Sequence, residues 1–547
     1  MFTNPSDPPA GLSNPGVPQY ALEGRVVTMD AAYSVLDTGS VYIDGGKIVA
    51  VNPTGTPPPA GYEHVPIIQT GGTIYPGLIE LHNHLSYNAL QLWQVPRRYT
   101  NRSQWSGTPE YRKRISGPME VLGRTPGYVE AIVRYVECKC LFSGVTTSQG
   151  IALFSNQGIS RYYRGIVRNV EQTEDADLPE ATTHLADVEA VDRAKFFARL
   201  QRCTCLLLHL SEGTDEQARS HFTALHLPDD TWAITSALAG IHSLALTLDD
   251  FQTFQERGGA MVWSPLSNLL LYGKTADIKA AKENGVRISI GADWSPSGSK
   301  NLLGELKVAR LHSAANGDLF TDRELLSMAT RTAAEILQWD KVLGSIEPGK
   351  HADLLIVATD KSDPYAALLQ ARETDITLVI IDGVPRFGAT DLMTHFGPGT
   401  ENWQVGQAAR SLNLGEEASD PAIEALSLHD ASDRLRDGLQ QLPKLAGDLE
   451  RSVVRAFPEA QAPQWFLRLD EPDLEGITLR PFLDQGIAGL EAVRDQLKAA
   501  ASVPLSQVLV PLDLDPLSVV DDTTFFERLQ HQINLPDYIK HGLPTLY

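Results

Sequence analysis

Six residues of this 547-residue chain have types and settings suited to metal chemistry: His82, His84, His209, Glu212, His242 and Asp293. His82 and His84 close the stretch Pro76-Gly-Leu-Ile-Glu-Leu-His-Asn-His84. Side chains on an extended chain alternate faces, so a pair at i and i+2 points the same way and can grip one divalent cation. A lone His-x-His also occurs on surfaces and in cores, and this one gains its weight from residues further along the chain. His209 ends Cys205-Leu-Leu-Leu-His209, with Glu212 three residues on. His242 ends Leu238-Ala-Gly-Ile-His242, and Asp293 ends Val286-Arg-Ile-Ser-Ile-Gly-Ala-Asp293. Each alone reads as a satisfied strand-end polar residue or, for Asp293, a turn former or helix cap. At successive strand ends of one parallel barrel, the four histidines and Asp293 would converge on a single mouth.

The elements that must hold them there can be read from the surrounding texture. From Pro76 onward, short apolar strands alternate with amphipathic helical stretches, such as 187–201, 248–257 and 321–337. Kept up over about 270 residues, this alternation is the pattern of a parallel α/β fold and suits an eight-stranded barrel. Seven strands can be placed; the fourth must fall between Val170 and Arg202, where no apolar run marks it. Before the barrel, Val41-Tyr-Ile-Asp-Gly-Gly-Lys-Ile-Val-Ala-Val51 has apolar arms around an Asp-Gly-Gly turn, a hairpin signal. Residues 343–357 and 376–384 return to that style. The expected architecture is therefore α/β: a distorted (β/α)8 TIM barrel over 76–343, with a small β-sandwich domain split between 20–75 and 344–392. A flexible arm rich in Pro, Gly, Asn and Ser over 1–19 precedes it. A mainly helical C-terminal extension over 393–547 completes the chain, with helices expected at 431–442 and 486–501.

Composition narrows the partners. The 46 Lys and Arg against 68 Asp and Glu leave a net charge of −22, which disfavours nucleic acid and anionic membrane. No run approaches the roughly 18 apolar residues of a membrane span, and the first residues lack a basic start and an apolar core. A cytoplasmic protein acting on a small molecule is expected. Cys138/Cys140 and Cys203/Cys205 form two Cys-x-Cys pairs, one in a helix-like stretch and one entering a strand, and they read as core packing.

With these residues in view, the chain resembles the amidohydrolase superfamily of metal-dependent hydrolases. It looks closest to the branch of aminohydrolases and chlorohydrolases that holds guanine deaminase, S-adenosylhomocysteine deaminase and the triazine hydrolases. The resemblance covers roughly 20–390. It rests on the His82/His84 motif, Gly144-Val-Thr-Thr147, His209-Leu-Ser-Glu212, Ile241-His242, Ser264-Pro-Leu-Ser-Asn268, Gly291-Ala-Asp293 and Gly344-Ser-Ile-Glu-Pro-Gly-Lys-His-Ala-Asp-Leu-Leu355. It implies that His82, His84, His209 and Asp293 hold a catalytic divalent metal. His242 would be either a fifth ligand or a group touching the attacking water. Glu212 would shuttle protons, with Asp293 and His242 sharing the catalytic work. Zinc suits these ligands best, with iron(II) or manganese as alternatives. Binuclear relatives bridge two metals through a lysine on the fourth strand. Between Lys139 and Lys274 this chain has only Lys195, in a helix-like stretch, so one metal is expected. A homodimer is expected from the resemblance alone.

The implied reaction is hydrolysis of a C–N bond in an amide, cyclic amide or amino-substituted heterocycle. The alternatives are deamination specifically, C–halogen or ester hydrolysis, and a scaffold without catalysis. The loop 87–105 is rich in aromatics and arginine. Tyr87 and Trp93 could stack on a substrate, while Arg98, Arg102 or neighbouring Arg97 could hold an anionic group. The same residues could equally pack the loop and neutralise an acidic surface. Relatives often carry His-Cys-Pro where this chain has Trp263-Ser264-Pro265, which suggests Trp263 as an apolar substrate wall.

Overall fold

The computed structural model describes residues 19–547 apart from 185–187, 189–190, 360, 398, 400, 417–419, 421–422, 424–425, 454–463 and 470–502. Most of the N-terminal arm and the helix expected at 486–501 lie outside the described residues, as does part of the stretch 187–201.

The fold is α/β with mixed sheets. The chain opens with strands β1 (Tyr20–Val27), β2 (Val35–Asp44), β3 (Lys47–Pro53) and β4 (Ile67–Pro76). The β2–β3 turn places Gly45 and Gly46 at φ 56° and 84°, a left-handed pair that explains the Asp-Gly-Gly sequence. After a long central region come β15 (Leu354–Val357), β16 (Ile376–Ile381), β17 (Val384–Ala389), β18 (Glu401–Val405) and β19 (Ala408–Leu412). These nine form one sheet in the order β18-β19-β17-β16-β15-β4-β1-β2-β3, so segments before and after the central region share it. The junction is β15 against β4, where Leu354 pairs with Pro76 and Val357 with Thr73 in antiparallel register. β18 and β19 carry the sheet past residue 392, where the sequence texture turns helical. Their Glu-Asn-Trp-Gln-Val and Ala-Ala-Arg-Ser-Leu runs show little apolar alternation, which is why composition alone passes over them.

The central region supplies parallel strands. β5 (Leu78–Ile79) and β6 (Val145–Ser148) pair with each other, and the hairpin β7 (Ala152–Ser155) and β8 (Ser160–Tyr162) comes next. β9 (Arg168–Asn169) then joins β6. A second parallel sheet runs β10 (Thr182–His184), β11 (Leu206–Leu210), β12 (Leu238–His242), β13 (Ala260–Trp263) and β14 (Arg287–Ile290) in sequence order. β20 (Trp465–Leu467) adds to β7. The two parallel sheets meet at both edges. Ala181 N–H donates to the Val170 carbonyl at 2.8 Å beside β9 and β10, and Asn83 bridges Asp293 beside β5 and β14.

β10 is the strand that sequence reasoning could not place. It is three residues long, Thr-Thr-His, and half-exposed, so no apolar run announces it. The stretch read as one helix over 321–337 is two, Asp322–Met328 and Arg331–Leu337. The first starts on a Thr321/Glu324 capping box, and Thr330 leaves helical geometry at φ −138°, ψ −98°. Cys138, Cys140 and Cys205 are buried and unpaired, in keeping with a packing role. Among the described residues no helix is long and apolar enough to cross a membrane.

Candidate active site

The C-terminal ends of the parallel strands bring the predicted residues together. The ligand atoms of His82, His84 and His209 lie within 4.8 Å of one another, as do those of His82, His242 and Asp293. Asp293 Oδ1 stands 3.1 Å from His82 Nε2 and 3.4 Å from His84 Nε2. Strand geometry delivers this approach. A Cβ on Gly291 would sit 2.5 Å from the His82 carbonyl oxygen, so only glycine lets the β14 end come so close to the His82 segment. Asp293 and His242 adopt φ of 67° and 63°, and Ser211 and Ser243 are also left-handed. For non-glycine residues such backbones are costly, and they persist where surrounding structure holds them.

Hydrogen bonding decides which nitrogen of His82 faces the centre. Gln149 Oε1 accepts from His82 Nδ1 at 3.1 Å and from the Asn83 N–H at 3.0 Å. The amide cannot be reversed without loss, because Gln149 Nε2 donates to Thr183 Oγ1, whose hydroxyl is committed to Glu171. His82 therefore carries its proton on Nδ1. Its bare Nε2, buried without a hydrogen-bond partner, faces the Asp293 carboxylate across 3.1 Å. Two acceptors at that separation with no proton between them repel unless a cation sits beside both. His209 Nδ1 is a second buried nitrogen without a partner. The donor set of imidazoles and a carboxylate fits a divalent metal.

Electrostatics agrees. Burial pushes the pKa of His82 and His242 down to about 4 and that of His209 well below the ordinary value, so all three are neutral at pH 7 with a lone pair to offer. Burial works against ionised Asp293, but the neighbouring His82, His242 and His84 outweigh it and hold the carboxyl well below its usual range. Three neutral imidazoles, those of His82, His209 and His242, thus stand beside the Asp293 carboxylate.

His242 is held differently. Asn268 Nδ2 donates to its Nδ1 at 3.0 Å. Asn268 is oriented in turn by Thr275, whose hydroxyl donates to Asn268 Oδ1 at 3.3 Å while accepting from the Trp263 indole N–H at 2.7 Å. Neutral His242 therefore keeps its proton on Nε2, 3.9 Å from Glu212 Oε2. Glu212 is buried; Tyr272 OH donates to its Oε1 at 2.7 Å, and Trp105 Nε1 donates to that hydroxyl at 2.9 Å. Arg102 Nε stands 3.8 Å from Oε2. Burial raises the Glu212 pKa above the usual carboxylate range against the opposing charge of Arg102.

A cleft opens on these groups, lined by His84, Tyr87, Arg102, Trp105, Tyr111, His209, Glu212, His242, Asp293 and Trp294. Of the residues that the sequence offered for substrate contact, Tyr87 and Arg102 line it. Trp93, Arg98 and Trp263 do not. Trp93 packs behind the wall on Tyr111, with ring centroids 6.3 Å apart. Arg98 lies against Gly273, where an added Cβ would meet its Nε at 2.7 Å. Trp263 is fully buried on the far side of β13, its ring against His312 and Phe320. Its side chain reaches the site only through Thr275 and Asn268, which corrects the reading of a substrate wall. Trp105, Tyr111, Tyr272 and Trp294 were not singled out from sequence. Trp294 directly succeeds Asp293, and Tyr272 lies four residues past Asn268, so the motifs themselves were the signal.

Known proteins resemble this chain in sequence and in fold. Residues 180–386 match the amidohydrolase family. The chain is 24% identical over 418 residues to a 5-methylthioadenosine/S-adenosylhomocysteine deaminase of Symbiobacterium thermophilum, covering 66% of this chain and 91% of that one. It is 25% identical to a 5'-deoxyadenosine deaminase of Methanosarcina mazei, over 65% of this chain and 90% of that one. A zinc-bound adenosine deaminase from Xanthomonas campestris superposes with a TM-score of 0.54 at 19% identity, covering 76% of this chain and 98% of that structure. The resemblance to amidohydrolases read from the motifs is thus borne out in sequence and in fold.

Proposed function

We propose that this chain is an amidohydrolase-type, metal-dependent hydrolase of C–N bonds that deaminates a planar, amino-substituted heterocycle. The bare His82 Nε2 facing the Asp293 carboxylate carries the reading, because that pair is stable only around a cation. Deamination is favoured over amide hydrolysis on two counts. The Symbiobacterium and Methanosarcina relatives are both named as deaminases. Trp263, the residue that argued for a different substrate, stands outside the cavity. The parallel strands β5, β6 and β9–β14 support a distorted (β/α)8 barrel over 76–343, with the shared nine-stranded sheet as the split β-domain and the remainder as an appendage.

In this reading His82, His84, His209 and Asp293 hold one divalent metal, zinc first among candidates. When bound, the metal polarises the substrate and lowers the pKa of water to about 7. Asp293, already ionised, takes a proton from the attacking water. Glu212, whose pKa burial raises above the usual carboxylate range, passes a proton to the leaving nitrogen. Tyr272 occupies Oε1 and turns Oε2 toward the substrate. His242 presents Nε2–H as a donor to the oxygen that develops charge. Trp105, Tyr111, Trp294 and Tyr87 offer ring faces for a planar group. Arg102 is placed to meet a carbonyl or anionic substituent.

The zinc-loaded protein should release ammonia from a panel of aminated purines, pyrimidines and triazines and lose this activity on chelation. Release of halide or acid without ammonia would move the reading to C–halogen or ester hydrolysis, and a protein that takes up no metal would overturn it.

The role of His242 depends on its tautomer. Asn268→Asp places a carboxylate where the amide donates, drawing the proton to Nδ1 and stripping it from Nε2. Turnover is expected to fall by about 10- to 100-fold with metal content unchanged. Nitrogen-15 shifts of labelled histidine check the tautomer directly, and an unaltered tautomer with unaltered rate would refute the assignment.

A further inference from the structure

The resemblance that explains the barrel says nothing about the end of the chain, yet residues 503–547 lie against the active-site loops. Asp515 N–H donates to the Ala89 carbonyl at 3.0 Å, and Leu514 bridges Leu90. Gln532 donates to the Trp93 carbonyl at 2.8 Å and accepts from the Val95 N–H at 3.2 Å. Asn534 donates to the Arg97 carbonyl at 3.1 Å and to the Leu270 carbonyl at 2.7 Å. The loop that begins at His84 is thus sewn to the C-terminal segment along its backbone.

One contact reaches further. Asp515 is buried, and its carboxylate receives the ammonium groups of Lys139 and Lys300, both buried as well. Lys300 is balanced a second time by Asp522 at 2.9 Å. Lys139, on the helix Tyr128–Phe142, spends its other protons on Ser295 Oγ at 2.7 Å and the Asn88 carbonyl at 2.9 Å. Asn88 in turn accepts from the Ser295 N–H at 2.8 Å and donates to Asn83 Oδ1 at 2.9 Å. Asn83 separates His82 from His84, and Ser295 lies two residues beyond Asp293. An unbroken hydrogen-bonded chain therefore runs from Asp515 to the backbone carrying three of the four residues assigned to the metal.

We propose that the C-terminal segment is a working part of the active site, and that Asp515 is a positioning residue that sets the spacing of the His82/His84 and Asp293 loops through Lys139, Ser295 and Asn88. This rests on the metal-site reading above. The physical logic is that a single β-bridge joins the two segments, with Asp293 N–H donating to the His82 carbonyl at 3.0 Å and His84 N–H to the Asp293 carbonyl at 2.6 Å, and a buried ammonium with three fixed acceptors braces the irregular turns that continue from it.

The test uses full-length protein and zinc alone. Competition with a chelator measures zinc affinity, and thermal unfolding of the metal-free protein measures the fold. Asp515→Asn is expected to weaken zinc binding by about 10-fold or more. It also strands a buried charge, so its unfolding temperature should fall. The double variant Asp515→Asn with Lys139→Met restores charge balance and should recover much of the stability while zinc binding stays weak. Recovery of both together would mean that Asp515 serves charge balance only and would overturn the proposal. If Asp515→Asn does not fold, the double variant Ser295→Ala with Asn88→Ala removes the side-chain links to both loops without creating a charge, and unchanged zinc affinity in it would equally overturn the proposal. Wild-type protein that fails to bind zinc would instead sink the metal-site reading, a distinct outcome.

Discussion

Glu212→Gln is expected to lower deamination by about 10²- to 10⁴-fold, the range that a positioned general acid or base contributes, while zinc content stays that of the wild type. The amide keeps the size of the carboxyl group and can still accept from Tyr272, so the pocket should keep its shape. What it loses is the ability to gain and release a proton. That ability is what burial tunes here by lifting the Glu212 pKa despite Arg102 at 3.8 Å. Steady-state rates and elemental analysis on the same preparation separate the two quantities. A variant that loses zinc along with activity would show Glu212 to be part of the metal site. One that keeps full activity would remove it from the mechanism.

His82→Ala should give the complementary result: loss of metal and, with it, of all turnover. His82 is fully buried at the centre of the cluster, with ring centroids 4.9 Å from His84, 4.8 Å from His209 and 5.1 Å from His242. Its removal takes away the imidazole 3.1 Å from Asp293 and leaves the Gln149 amide oxygen with one donor fewer. Wild-type protein should hold about one equivalent of zinc, iron or manganese, and the variant almost none. Two equivalents in the wild type would contradict the single-metal site inferred from the missing fourth-strand lysine. Metal retained by the variant would mean that the cluster binds through other residues.

The histidine and aspartate cluster was legible in sequence because the chemistry such a cluster could do tolerates few residue types and a parallel fold puts them at strand ends. His82, His84, His209, His242 and Asp293 each end an apolar run, and the structure brings all five within one small volume. The supports of the cluster were less legible for a physical reason. Gln149 and Asn268 orient histidines 67 and 26 positions away, and a side-chain amide looks the same in sequence whether or not it does so. The pocket wall was harder still. Trp93 and Trp105 stand in one aromatic loop, yet Trp105 faces the cavity and Trp93 packs behind it. Gln532, far along the chain, holds the backbone at Trp93 and Val95, so the facing of the loop is decided by a segment that no local pattern connects to it. Trp263 shows the converse. A departure from a familiar motif drew attention to the residue, but strand register turned its ring away from the cavity.

The nine-stranded sheet has a consequence for how the protein is made. Its junction pairs β4 with β15, and every strand of the central region is synthesised between them. Until the ribosome has passed β15, β4 presents an open edge, with Ile74 and Tyr75, both buried in the finished protein, still exposed beside it. Contacts so far apart in sequence form late, and a waiting apolar edge is a template for pairing between chains. A nascent or truncated chain ending before residue 354 would carry half a sheet with no partner. The protein should therefore refold slowly at low concentration and aggregate at high concentration, with the yield set by how fast β15 finds β4.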